Sequence, residues 1–231
     1  MKKFFGQKND DEIIIDGEEL NHLAVLRCTK GEEVLCFAGD EFEYLCQISE
    51  INKKFARLNI LNKQICKGNP KLNITIFQGL PKAEKLELIT QKLCELGASS
   101  IVPFESNFTI AKPNPGKIER LNKIAKEASK QCGRSLPLQV ENAVSFKQML
   151  QMLKNFDVVL FANEKQKLEA ADIEQKQNIA IIVGSEGGFS DVEIQQIKQT
   201  GAKCIGLGER ILRTETASIA LCAIVGHAIG V

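Results

Sequence analysis

From residue 73 onward the chain alternates short apolar runs with longer amphipathic ones, and that rhythm leaves few folds open. Runs at 73–78, 100–104, 136–140, 158–161, 179–183 and 203–207 read as strands. Segments 83–96, 117–131, 146–154, 191–200 and 214–229 carry the helical period. Strands separated by helices predict a parallel sheet covered on both faces, because a parallel pair needs a long crossover and a helix supplies it compactly. The first 66 residues differ. Ile13-Ile14-Ile15 and runs at 33–38, 43–48 and 55–61 are short and mostly alternating, with turns at Asp16-Gly17, Lys30-Gly31 and Gly39-Asp40. A helical turn or two falls over 21–27. A small β-barrel closes such strands without open edges. Lys67-Gly68-Asn69-Pro70 reads as a linker, so the expected fold is α/β: a small barrel over 1–68, then a sheet-and-helix domain over 71–231. No internal repeat is evident.

Composition narrows the function classes. With 44% hydrophobic and 26% charged residues, the 231-residue chain is globular. A net charge of +1 leaves any polyanion to be met by a local patch. The cysteines, at 28, 36, 46, 66, 94, 132, 204 and 222, are scattered and never spaced C-x-x-C, as in reduced thiols of a cytoplasmic protein. His22 and His227 are the sole histidines, which speaks against zinc. The N-terminus lacks the apolar stretch of a signal peptide. The longest apolar stretch, 217–231, is shorter than the roughly 20 residues that cross a bilayer. The expectation is a cytoplasmic protein with no metal and no membrane contact.

Two late segments repeat one design: a strand, a glycine-bearing loop and a helix start. The first is Ile181-Ile182-Val183-Gly184-Ser185-Glu186-Gly187-Gly188-Phe189-Ser190. It lacks the Gly-Lys-Ser/Thr of a P-loop and the G-x-G-x-x-G of a dinucleotide fold. Ser190-Asp191-Val192-Glu193 fits a capping box. The second is Leu207-Gly208-Glu209-Arg210-Ile211-Leu212-Arg213-Thr214-Glu215-Thr216-Ala217. A tight strand-to-helix turn satisfies either spacing, and so does a loop whose glycines admit a ligand to the backbone. Arg210 and Arg213 suit an anion, or solvent, and Glu215 suits the positive end of a helix.

The segment 117–134 sets Arg120, Lys123, Lys126, Lys130 and Arg134 on one side and Leu121, Ile124, Ala125, Ala128 and Cys132 on the other. That face is either solvated or a phosphate-binding surface. The last helix is apolar nearly all round, which predicts burial on every side, in a core or against a second subunit.

The two glycine segments together resemble the signature of the RsmE family, bacterial 16S rRNA uracil-N3 methyltransferases of the SPOUT superfamily. The resemblance continues through Asn21-His22-Leu23, Val25-Leu26-Arg27 and Lys30-Gly31, then Lys82, Lys85-Leu86-Glu87, Gln91-Lys92 and Glu95-Leu96-Gly97. It resumes at Glu127-Ala128, Gln131-Cys132-Gly133-Arg134 and Pro137. Ser185 stands where the family often has proline. After Pro103-Phe104 a Ser-Glu-Arg type of stretch is replaced by Glu105-Ser106-Asn107-Phe108, with Lys112 as substitute for the arginine.

The resemblance implies a PUA-like RNA-binding barrel over 1–68 and a SPOUT domain with a deep trefoil knot over 71–231. It implies S-adenosylmethionine as cofactor, 16S rRNA within the 30S subunit as substrate, and a homodimer. The cofactor residues it implies are Leu160, Phe161, Ala162, Gly184, Glu186, Gly187, Gly188, Leu207, Gly208, Ile211, Leu212, Thr216 and Ala217, with the 160–164 stretch as a third wall. Arg213 and Glu215 are the implied catalytic pair. Arg27, Lys82, Lys126, Lys130 and Arg134 are the RNA contacts. A ribose-2′-O methyltransferase of the same superfamily and a non-catalytic ribosome-binding factor are the alternatives. The first usually carries an asparagine-serine signature where this chain has Arg213-Thr214-Glu215-Thr216.

Overall fold

The computed structural model describes residues 1–110, 115–163 and 177–228. The chain divides into two compact units. One is Met1–Asn69 with Ser129–Pro137, and the other is Pro70–Ala128 with Leu138–Val231.

The first unit is a curled six-stranded sheet in the order β1-β4-β5-β6-β3-β2. Its strands are β1 (Lys3–Phe5), β2 (Gln7–Asn9), β3 (Glu12–Asp16), β4 (Glu33–Phe37), β5 (Phe42–Ile51) and β6 (Phe55–Ile65). Neighbours are antiparallel except β1 and β4. Register shifts between Leu45 and Cys46 and between Ile48 and Glu50 bend the long β5–β6 pair, as an extra residue in one strand does. Alternate residues point inward, so Ile13, Ile15, Val34, Cys36, Tyr44, Cys46 and Leu58 form a core with Phe4. Helix α1 (Gly17–Val25) closes it with Leu23. Strands β1 and β2 go beyond the sequence pattern, being three residues each and β2 wholly polar.

The second unit is an entirely parallel sheet, as the alternation predicts, in the order β10-β8-β7-β12-β11-β13, with β9 beside β8. Its strands are β7 (Asn73–Gly79), β8 (Ser100–Glu105), β9 (Gln139–Val140), β10 (Val144–Ser145), β11 (Val158–Ala162), β12 (Asn178–Val183) and β13 (Lys203–Ile205). The α-helices that accompany them among the described residues are α2 (Ala83–Glu95), α3 (Pro115–Cys132), α4 (Phe146–Met152), α5 (Asp191–Gln199) and α6 (Thr214–Ala228). The central strands are buried over almost their whole length because helices cover both faces. Register pairs Val183 with Gln78 and Phe161 with Ile182, so the carboxyl ends of β7, β12 and β11 lie side by side. After edge strand β13 the chain turns back, and α6 packs on α2 beside β7 and β12.

Within the chain, helix α6 buries Leu221, Cys222 and Val225 and exposes Thr216, Ile224 and His227. One expectation changes here: the basic face of α3 shrinks. Lys130 is only 5% exposed and Arg134 only 2%. Lys130 Nζ lies 2.9 Å from Glu19 Oε1 and 3.3 Å from His22 Nδ1, and Glu19 Oε2 accepts from the Phe5 amide. Arg134 Nε donates to the Leu136 carbonyl. A cation can leave water only where anions or carbonyls replace the hydration it loses, and both residues are so placed. Farther up the helix, Arg120 pairs with Glu87 and Lys123 with Glu119.

Lys130→Met removes the cation and strands a buried carboxylate, so it should destabilise the protein by about 3–5 kcal/mol. Adding Glu19→Gln should recover a good part of that loss, and urea unfolding of the single and double variants measures both.

Candidate functional site

The site is built on a buried glutamine. Gln78, at the end of β7, is fully enclosed, and its Nε2 reaches the carbonyls of Gly79 and Gly184 and the hydroxyl of Thr214. Thr214 Oγ1 in turn donates to Gly184 O, and Ser218 Oγ donates to Gln78 Oε1. One side chain thereby ties the end of a central strand to the first glycine loop and to the opening turn of α6. The side-chain polar atoms of Gln78, Thr214 and Ser218 each have a partner, the condition for keeping polar groups in a core.

The glycines serve the protein's own packing more than a ligand's approach. A Cβ on Gly79 would sit 2.4 Å from the Ser185 amide nitrogen, so β7 and the loop touch backbone to backbone. A Cβ on Gly184 would meet the Phe189 ring at 2.9 Å, and one on Gly187 would meet Phe108 Cβ at 2.6 Å. Gly188 and Gly208 have open space around them but φ of +68° and +93°, which side-chain-bearing residues rarely adopt. Ser190 caps α5, and Glu193 completes the expected capping box.

The two loops enclose a cavity of about 510 Å³. That is within the roughly 300–1,000 Å³ usual for small-molecule sites. Phe161, Val183, Ile205, Leu207, Leu212 and Ala217 give it apolar walls. Backbone at 184–188 and the side chains of Lys85, Asp191, Arg210 and Arg213 give it polar ones.

Lys85, which the sequence offers only as part of a family string, joins the two loops by charge. Its Nζ lies 3.2 Å from Glu186 Oε1 on the first and 3.1 Å from Glu215 Oε2 at the start of α6. Glu215 Oε2 is shielded from water and takes no well-angled hydrogen bond among the described residues, so Coulomb attraction holds this pair. Burial would lower the Lys85 pKa, but contacts with Glu215 and Glu186 outweigh it and raise the value. Burial would likewise raise that of Glu186. Backbone N–H groups of Glu186 and Lys82 and the Lys85 ammonium reverse the sign, and it ends below normal. The Lys82 contact has a structural meaning as well. Lys82 offers α2 no side-chain cap, and Glu186 accepts its amide at 3.2 Å instead.

Most of the anticipated cofactor residues meet at this cavity: Phe161, Ala162, Gly184, Glu186, Gly187, Gly188, Leu207, Gly208, Ile211, Leu212 and Ala217 border it. Arg213 does so too. Leu160 and Thr216 do not, because Leu160 is wholly buried in β11 and Thr216 faces outward on α6. Glu215 is also off the cavity lining, its carboxylate turned to Lys85. Arg27 is exposed, with a left-handed φ of 53° just past α1, and Lys82 is exposed at the head of α2. Lys126 is half-buried. Lys112 and Glu164 lie outside the described residues. No local pattern marks Gln78, because its partners are up to 140 positions away.

Residues 68–226 match the RNA methyltransferase domain family, and residues 15–61 match the RNA methyltransferase PUA domain family. The chain is similar to ribosomal RNA small subunit methyltransferase E of Bacillus subtilis, at 35% identity over 91% of this chain and 88% of that one. It is 33% identical to the protein of the same name from Mesomycoplasma hyopneumoniae, covering 96% and 97%. Among solved structures, ribosomal RNA small subunit methyltransferase E from Neisseria gonorrhoeae, bound to S-adenosyl methionine, superposes with a TM-score of 0.92. It is 27% identical, covering 99% of this chain and 98% of that one.

The Glu186 carboxylate, held low by the backbone N–H groups of Glu186 and Lys82 and by Lys85, carries a pH signature. A carboxylate with a lowered folded-state pKa adds stability above its ordinary value, about 4.3, and loses it as pH falls through the folded value. Glu186→Gln should therefore cost about 1 kcal/mol at pH 7. Thermal unfolding should show that difference from the wild-type protein shrinking as pH falls below the ordinary carboxylate value.

Proposed function

The chain belongs to the ribosomal RNA small subunit methyltransferase E family, and on that basis we propose that it methylates N3 of one uridine in 16S rRNA with S-adenosylmethionine as methyl donor. The observation that carries the reading is the meeting of the two glycine loops in one cavity bordered by Arg213. The residues present fit the cofactor. Phe161, Leu207, Ile211, Leu212 and Ala217 suit an adenine, and the backbone at Gly184, Gly187, Leu207 and Leu212 can satisfy its polar edges. Bound there, S-adenosylmethionine supplies an electrophilic methyl group on a sulfonium.

The chain's own task is positioning and charge management. N3 of uracil must lose its proton as its lone pair takes the methyl group, and negative charge spreads to the flanking oxygens. Arg213, exposed at the cavity edge, presents a planar guanidinium with several donors to those oxygens. The proton leaves to water at the cavity mouth. Glu215 and Lys85 hold the start of α6 in place, which fixes Arg213 immediately before it. Watson–Crick pairing hides N3, so the uridine enters unpaired or flipped out.

The segment 1–68 serves as the PUA-like RNA-binding domain, and 71–231 serves as the SPOUT domain, apart from Ser129–Pro137, which groups with the first unit. Arg27, Lys82 and Lys126 are the RNA-facing cations, whereas Lys130 and Arg134 serve internal packing. The return of α6 from the edge of the sheet to its central strands supports a deep trefoil knot. Leu88 on α2 and Ile224 on the adjoining α6 are exposed apolar residues that a second copy would cover in a homodimer. Among the described residues no helix is long and apolar enough to cross a membrane. A 16S rRNA substrate within the 30S subunit would place the protein's work in the cytoplasm.

Purified protein, labelled cofactor and 30S subunits lacking the modification test the proposal. Label should enter the uracil base and stop reverse transcriptase at one position; label on ribose would contradict it. Arg213→Ala should lose at least about 100-fold in turnover while binding the cofactor normally. Normal methylation by that variant would remove Arg213 from the mechanism.

A further inference from the structure

We propose that Phe108 is a stacking platform for an unpaired RNA base beside the first glycine loop, a role that rests on reading the chain as an RNA methyltransferase. The chain has twelve phenylalanines, one tyrosine and no tryptophan. Tyr44 is buried, and every phenylalanine but one is buried or half-buried. Phe104, Phe146, Phe161 and Phe189 contact one another ring to ring beneath the loops. Phe108 alone is exposed, at 50%.

Its position is specific. A Cβ built on Gly187, which borders the cavity, would lie 2.6 Å from Phe108 Cβ and 3.5 Å from its Cγ. Phe108 is thus packed against the first glycine loop at Gly187, next to the residues that line the cavity. The turn that carries it is held fast. The Ser106 amide donates to Thr109 Oγ1 at 2.8 Å, and the Thr109 amide donates back to Ser106 O. The Asn107 amide donates to Glu193 Oε1 at 2.8 Å, and Asn107 Nδ2 donates to Ser190 Oγ. Glu193 is buried and already spends its other oxygen on the cap of α5, so the turn is anchored to the helix that follows the first glycine loop.

An apolar ring held in water by this many hydrogen bonds is pre-organised for a flat apolar partner. Residues 106–109 carry no cation and the adjoining Glu105 is an exposed acid, so a phosphate is not what the turn attracts. A nucleobase has the required face, and aromatic stacking is how proteins hold unpaired bases whatever their sequence. The occupant is therefore a base, either the target uracil or its unpaired neighbour.

Because the chain has no tryptophan, Phe108→Trp places a single indole fluorophore at the platform. Emission from that variant should be quenched by single-stranded oligouridylate and by 30S subunits lacking the modification. Phe108→Ala should raise the KM for 30S subunits by about 5- to 100-fold, with cofactor affinity by calorimetry unchanged. Phe108→Tyr should restore the KM. Phe108→Leu, apolar but without a ring face, should not. Wild-type KM in Phe108→Leu would overturn the proposal. So would emission from the Phe108→Trp variant that RNA leaves unquenched. Emission that follows protein concentration without RNA would also overturn it, since the ring would then be a contact between two copies of the chain. None of these results bears on whether the wild-type protein labels uracil, so the functional reading stands or falls separately.

Discussion

The hydrogen bonds of Gln78 hold the site together. A polar side chain with no exposure to water is costly unless each of its atoms has a partner, and Gln78 finds partners on three separate stretches of chain. Its amide nitrogen holds Gly184 and Thr214, and its oxygen receives Ser218. Each of these residues belongs to an element that shapes the cavity. The loop after β12 and the turn into α6 are irregular backbone, and irregular backbone needs such a brace to keep one conformation. Gly79 lets the loop lie against β7 at backbone distance, which puts the glutamine within reach of Gly184.

Charge supplies a second brace nearer the surface. Lys85 sits between one carboxylate from each loop, and Glu186 also caps the helix that carries Lys85 by taking the Lys82 amide. The first glycine loop and the start of α6 are therefore fixed to one another twice, once through β7 by neutral hydrogen bonds in the interior and once through α2 by ions at the rim. Arg213 lies beside these braces, immediately before Thr214 and Glu215. For the role proposed for Arg213, being placed beforehand is an advantage, since no reorganisation is then needed at the moment of reaction.

Much of this is legible in the chain itself. The parallel sheet follows from alternation alone, and its long helices and central strands fall where periodicity puts them, whereas α1 begins at Gly17, ahead of the turn expected at 21–27, and β10 has no counterpart in the pattern. The glycine loops stand out by composition, and their residue strings identify a family. The reason for the glycines is not legible: Gly184 and Gly187 make room for Phe189 and Phe108, a demand that arises only once the loops are folded. Lys130 reads as a surface cation because its partner, Glu19, is 111 positions away. Gln78 reads as the polar end of a strand for the same reason. Strands β1 and β2 are too short to show a period. Local patterns mark elements and turns, whereas long-range polar pairings, which decide whether a charge faces water or the interior, leave no local trace.

If one buried glutamine holds both walls of a cofactor cavity, its removal should be felt in binding more than in folding. Calorimetric titration with S-adenosylmethionine, on the wild-type protein and on Gln78→Met, tests this directly. The wild-type protein should bind one cofactor per chain. Gln78→Met, folded by circular dichroism, should bind at least about 10-fold more weakly, the equivalent of one or more net hydrogen bonds. Equal affinity in the two proteins, or no binding by the wild-type chain, would contradict the account.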